Sequence, residues 1–197
     1  MLSAGKKFEV QFKSSIPENV MYHRNPDQPQ SFQNTAKFSL KNKCDCFIYN
    51  YPLLLTCELK STKEKYMTVE MCKEDEGKKM IHWHQIQGLK EYAQYKGVIP
   101  GLILNFRINE NDEEQYNELT YFIHINDFLR MMTELNKKSF NLLDLVRYNP
   151  IKIESIKKRT RFNYDVGSFL MEIDNKYKVW MKGSFQGNES NRFCKWI

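Results

Sequence analysis

Between Cys44 and Lys60 the chain reads CDCFIYNYPLLLTCELK, and three side chains in this stretch have the types needed to act on a phosphodiester. Asp45 and Glu58 are carboxylates, and Lys60 follows Glu58 at a spacing of two. Two carboxylates hold a hard cation, and an ammonium beside them puts positive charge where a hydroxide or a scissile phosphate needs it. Oxygen donors of this kind select Mg2+ over Zn2+. The spacing alone is also compatible with a solvated sheet edge. The flanking residues favour the metal site: Phe47-Ile48 and Leu53-Leu54-Leu55 are apolar runs suited to buried strands, and a charge beside a core strand needs a partner.

Such a site requires two strands and a turn. Residues two apart in a strand share a face, so Glu58 and Lys60 project together while Leu59 turns into the core. Asn50-Tyr51-Pro52 is a turn signal that brings Asp45 back alongside them. Cys44 and Cys46 flank Asp45 and are expected on the opposite face, packed as small apolar thiols. With His82 and His84 they offer zinc-type donors, but C-x-C and H-x-H are poor spacings for a closed tetrahedral site.

The remaining elements are placed by periodicity and punctuation. Lys6 to Ser14 is expected as a helix with Phe8 and Phe12 on one stripe and Glu9 beside it, ending before Pro17. Asn25 to Asn34 is rich in Pro, Gln and Asn and reads as a loop or projection. Lys65 to Met71 is expected as a strand, Cys72 to Lys79 as a charged loop, and His84 to Lys96 as a helix closed by Gly97. Val98 to Phe106 is a nearly continuous apolar strand, Asn109 to Glu118 a polar loop, and Thr120 to Ile125 a strand followed by a helix that Asn126 can cap. FLMEIDNKYKVWM alternates around Asp174-Asn175 and predicts a hairpin. No glycine-rich phosphate loop is present. The order predicts an α/β domain with a mixed central sheet flanked by helices, over residues 1–165, with a projection at 25–42 and a C-terminal hairpin within 166–197.

Composition bounds the function class. A chain of 197 residues with 41% hydrophobic and 14% aromatic content can build one globular core. No apolar run reaches the roughly 18 residues of a membrane helix, and the N-terminus carries no apolar signal, so a cytoplasmic protein is expected. Five irregularly spaced cysteines agree with a reducing compartment. The net charge of +6 favours polyanionic partners. Basic residues gather at Lys37, Lys41 and Lys43, just before Asp45, and again at Lys157, Lys158, Arg159 and Arg161.

Five motifs in order (GKKFE near the N-terminus, Asp45 in its strand, ELKST at 58–62, HWHQI at 82–86 and RTRFNYD at 159–165) resemble the RecU family of Holliday-junction resolvases, within the PD-(D/E)XK nuclease superfamily. The resemblance covers roughly residues 5–165 and implies a restriction-endonuclease-like fold with a projecting stalk. It implies a structure-selective endodeoxyribonuclease that uses Mg2+, or Mn2+ in its place, acts as a homodimer on branched DNA, and leaves 5′-phosphate and 3′-hydroxyl ends. Asp45 and Glu58 match the family's metal carboxylates and Lys60 its catalytic lysine. Glu9 matches a glutamate on the first helix, a further carboxylate and metal ligand, and Gln85 matches the glutamine at the start of the later helix. The Leu59 carbonyl joins Asp45, Glu58 and Glu9 as a metal ligand. Thr62, which completes ELKST, is expected at the DNA with Lys37, Lys41, Lys43, Arg159 and Arg161.

Arg24 could bind the substrate backbone or form an ion pair, and Phe32 and Phe38 could stack on bases or pack the projection. His84 could contact phosphate, assist a leaving group or serve the helix start. The projection, QSFQNTAKFSLKNK, is shorter than in the bacterial host proteins of the family, which suits a phage or prophage copy. A RecA-type recombinase is a candidate partner. Two other functions stay open: a less selective restriction-like nuclease, and a DNA-binding recombination modulator.

Overall fold

Two adjacent apolar strands organise the molecule. In the computed structural model, which describes residues 3–26, 42–75, 78–107, 118–159 and 161–183, β3 (Leu53–Thr62) lies parallel to β5 (Val98–Phe106), with Glu58 opposite Leu102. Both strands are buried along most of their length, as expected of strands covered on two faces. β1 (Met21–Arg24) pairs antiparallel with β2 (Cys46–Asn50), and β2 with β3 across the turn at Tyr51-Pro52. On the other side β6 (Leu119–His124) and β8 (Ile151–Ile153) complete a six-stranded mixed sheet of order β1-β2-β3-β5-β6-β8.

Helices cover both faces. α1 (Ala4–Lys13) starts at Ser3, whose hydroxyl accepts from Lys6 N, and buries Phe8 and Phe12. Those rings share a core with Leu55, Cys57 and Leu59 of β3, and with Phe169, Leu170 and Ile173 of α5 (Val166–Gly183). The opposite face carries α2 (Trp83–Tyr92) and α3 (Ile125–Leu135), which bury Ile86, Leu89, Phe128 and Met131 against Leu102 and Leu104. β4 (Tyr66–Thr68) pairs with β7 (Ser139–Asn141), which leads into α4 (Leu142–Val146). β9 (Ser155–Lys158) and β10 (Arg161–Tyr164) form a separate hairpin with Arg159 at φ 50° in its turn.

Three expectations are corrected. The C-terminal segment is a helix, not a hairpin. Its buried residues, Val166, Phe169, Leu170, Ile173 and Tyr177, recur with helical spacing, and the Asp165 carboxylate accepts from Ser168 N at 3.0 Å, holding the first turn. Asp174-Asn175 therefore lies within the helix, and α5 shares the core of α1 and β3. Asn126 does not cap α3; His124 does, its Nδ1 accepting from Asn126 N at 3.2 Å. Cys44 and Cys46 do not share a face, because β2 begins only at Cys46 and the two thiols enter opposite cores.

Glycines set two close approaches. A Cβ on Gly101 would strike the Ile123 carbonyl and the Phe122 ring, so the β5–β6 contact requires glycine there. A Cβ on Gly88 of α2 would lie 2.6 to 2.8 Å from Lys43, backbone included, and α2 thereby holds the segment that carries Asp45. The expected projection at 25–42 falls mostly outside the described residues, but its two ends meet. Asn42 Nδ2 donates to the Pro26 carbonyl at 2.7 Å, and Asn25 Nδ2 to the Cys44 carbonyl at 2.8 Å. The polar loop expected from Asn109 lies almost wholly outside the described residues.

Candidate active site

The site lies where β2 and β3 part. Their ladder ends at the Cys46 and Cys57 pair, after which Asp45 N donates to the Cys57 carbonyl at 3.0 Å and the strands diverge. The next inward-facing amide of β3, Leu59 N–H, is taken up by a side chain: it donates to Asp45 Oδ2 at 2.8 Å. In an extended strand the N–H and C=O of one residue point towards the same neighbour, so the Leu59 carbonyl faces the same fork as the Asp45 carboxylate. Asn25 N closes the fork from the β1 side by donating to the Asp45 carbonyl at 2.8 Å.

Glu58 and Lys60 project from the α2 face of β3, as strand periodicity dictates. Glu58 is 1% exposed, and its carboxylate has two donors. Lys60 Nζ lies 2.9 Å from Glu58 Oε1, and Gln85 Nε2, on the first turn of α2, donates to the same oxygen. Burial pushes the Glu58 carboxyl up to about 8; the Lys60 charge opposes this and the nearby Asp45 charge adds to it. A cation between Asp45 and Glu58 would reverse the balance by favouring both ionised forms. Among the described residues no group of three or more His, Cys, Asp or Glu side chains is arranged to hold a metal ion. The donor set is two carboxylates and a main-chain carbonyl. Mg2+ is held by few protein oxygens, with water and substrate oxygens filling its other positions, so these residues fit a hard divalent cation.

Other expected site residues are distributed around this centre. Glu9 is on α1, across the sheet from α2, and its carboxylate pairs with Arg24 at 2.9 Å. Arg24 stands opposite Cys46 in the β1–β2 register, one residue from Asp45. The structure therefore engages Glu9 with Arg24 in an ion pair, the second of the two roles expected for Arg24. Lys43 pairs with Glu91 of α2 and stands over the Tyr92 ring, and Glu91 raises its pKa. Thr62, expected at the DNA, is buried, and its hydroxyl accepts from Glu64 N at 2.8 Å to hold the turn after β3. Arg159 and Arg161 lie on the β9–β10 hairpin, where Arg161 stands opposite Lys158. Lys37, Lys41, Phe32 and Phe38 lie outside the described residues.

Sequence reasoning missed Glu70. It follows β4 and receives both His82 Nδ1 and Trp83 N, each at 2.8 Å. The His82 and His84 rings stack at 5.7 Å. HWHQI marked a helix start rich in polar groups, but nothing in the local sequence tied it to a glutamate twelve residues away.

The fold and site define an α/β protein whose mixed sheet, with helices on both faces, opens at one fork to present two carboxylates and a lysine. The chain is 30% identical over 185 residues to the SPbeta prophage-derived uncharacterized protein YotM of Bacillus subtilis (strain 168), with 87% of each chain covered, and it belongs to the YotM family. No protein-family model matches it. Among solved structures, that of Archaeoglobus fulgidus Hjc, a Holliday junction resolvase from an archaeal hyperthermophile, superposes with a TM-score of 0.43 and 12% identity, covering 75% of this chain and 91% of that one.

Proposed function

We propose that the protein is a divalent-metal-dependent endodeoxyribonuclease of the PD-(D/E)XK kind that cuts four-way DNA junctions by paired nicks. The observation that carries the nuclease reading is the buried contact of Glu58 with Lys60, set beside Asp45 at the fork of two strands. Junction specificity rests on the five-motif resemblance to RecU. The prophage derivation of YotM supports a role in phage DNA processing.

In this reading Asp45, Glu58 and the Leu59 carbonyl hold Mg2+, with Mn2+ able to replace it. The cation would polarise a phosphoryl oxygen and lower the pKa of a water beside it. Lys60 places an ammonium at the same face of β3, where it orients the attacking water or offsets charge developing on the phosphate. Gln85 fixes the Glu58 carboxylate, and the Leu59 amide fixes that of Asp45. Glu9, through Arg24, braces the β1 side of the fork. Asn25, Pro26 and Asn42 are hydrogen-bonded into a neck that adjoins Asp45 through Cys44. A symmetric dimer would supply one such site for each nick.

The test is a nick map on an end-labelled four-way junction and a matched linear duplex, each with Mg2+ or chelator. Symmetric Mg2+-dependent nicks confined to the junction are expected. Equal cutting of the duplex would replace the resolvase with a general nuclease, and tight junction binding without cutting would leave a DNA-binding modulator.

A further inference from the structure

Glu70 stands outside the cation fork, yet a continuous chain of hydrogen bonds leads from it to Glu58. Its Oε2 accepts from Trp83 N and its Oε1 from His82 Nδ1, both at 2.8 Å. These bonds tie the first residue of α2 and the residue before it to the end of β4, where Glu70 N also donates to the Ile81 carbonyl at 2.9 Å. His82 N in turn donates to Gln85 Oε1 at 2.9 Å, and Gln85 Nε2 donates to Glu58 Oε1. A backbone N–H can only donate, so the amide atom facing His82 must be the oxygen, and the planar amide then has to aim its NH2 at Glu58. Moving His82 would turn or release that amide.

We infer that Glu70 is a positioning residue of the site, holding His82 so that Gln85 presents its amide to Glu58. The inference rests on the reading above that Glu58 holds a divalent cation. Glu70 touches neither the cation fork nor the reacting phosphate; its effect passes through two intervening residues. His82 and the Trp83 amide keep the Glu70 carboxyl below the usual carboxylate range, which preserves it as a double acceptor. Outer-shell partners of this sort typically change metal affinity or activity by about 10- to 100-fold when removed. A helix cap with no other role would cost stability and leave cation affinity untouched.

The experiment measures Mn2+ binding to the full chain by the electron paramagnetic resonance signal of the free ion, with a thermal melt of every variant. Glu70→Ala is expected to weaken binding about 10- to 100-fold. Glu70→Gln should restore it, because its amide oxygen can accept from Trp83 N while its NH2 donates to His82 Nδ1. In a Gln85→Ala background Glu70→Ala should change the affinity no further, since the chain is already cut. Native affinity in Glu70→Ala, or losses that add in the double variant, would overturn the inference while leaving the cation site in place. Absence of Mn2+ binding by the unaltered protein would overturn the nuclease reading and this inference with it. Should Glu70→Ala fail to fold, His82→Leu, which leaves the Glu70 to Trp83 bond intact, enters the same cycle with the same expected and overturning results.

Discussion

Glu58 is kept nearly out of water by β3 and α2, a position in which an ionised carboxylate is costly unless charge and donors compensate. Lys60 and Gln85 compensate in part, and burial still pushes the carboxyl up to about 8. A divalent cation beside Glu58 would supply the compensation that is missing. Truncating Lys60→Ala removes the ammonium without disturbing the backbone, and junction cutting at saturating Mg2+ should fall by roughly 100-fold or more in single-turnover kinetics, with Mn2+ still bound. An unchanged rate would remove Lys60 from the chemistry. The Glu58 and Lys60 pair was legible in the sequence because a strand repeats every two residues. Asp45 was legible through the turn that folds β2 onto β3. The Glu9 and Arg24 ion pair was not, since it depends on α1 meeting β1 across the sheet edge, nor was Glu70, whose approach to His82 is set by the bridge between Val69 and Ile81.

Among the elements, α2 positions both sides of the fork: Gln85 reaches Glu58, and Gly88 accepts the backbone of Lys43, two residues before Asp45. Alanine at 88 would gain about 1 kcal/mol of helix propensity, but its Cβ would meet main-chain atoms that cannot rotate away. Gly88→Ala is therefore expected to destabilise the fold by about 1–3 kcal/mol in urea unfolding and to weaken Mn2+ binding by displacing Asp45. Stability equal to or above the native value would show that the segment yields freely.

The cap of α3 carries a pH signature. Burial, aided by Lys176, lowers the His124 pKa to about 4, while Asp127 opposes the shift. The folded state keeps His124 neutral where the unfolded chain binds a proton, so its contribution is full above about 6.5 and is lost as pH falls towards 4, at up to about 1.4 kcal/mol per pH unit. His124→Asn keeps a capping oxygen and should flatten this part of the stability curve; parallel curves for the two proteins would contradict it. The sequence showed that a helix starts here but not which residue caps it, because His124 ends β6 and α3 begins at once. The helix α5 was hidden for a different reason. FLMEIDNKYKVWM alternates well enough to read as a strand, and only its packing against Phe122 and Ile151 selects the helical period.

For the whole molecule, the net positive charge is the feature that bears on the proposed DNA partner. The net charge of +6 includes a hairpin in which Lys158 faces Arg161 directly across two strands, a like-charge pair that costs stability in isolation and that a bound phosphate would relieve. Replacing Arg159 and Arg161 with alanine should weaken binding to junction and duplex alike and reduce the slope of log affinity against log salt by about 1 for each phosphate no longer neutralised. An unaltered slope would place the DNA elsewhere. The basic cluster was legible from composition, and its placement on a hairpin was not, because the β9–β10 pairing follows β8 out of the main sheet. The order of the long strands and of α1 to α3 was legible throughout.

If Asp45, Glu58 and Lys60 form one metal-dependent nuclease site, the decisive experiment is cleavage of a labelled four-way junction by the protein and by Asp45→Asn, with Mg2+ and with chelator, at enzyme concentrations that saturate the DNA. Nicks should require Mg2+ and disappear in Asp45→Asn while junction binding persists. Cutting that survives either chelation or the substitution would contradict a metal site built on Asp45.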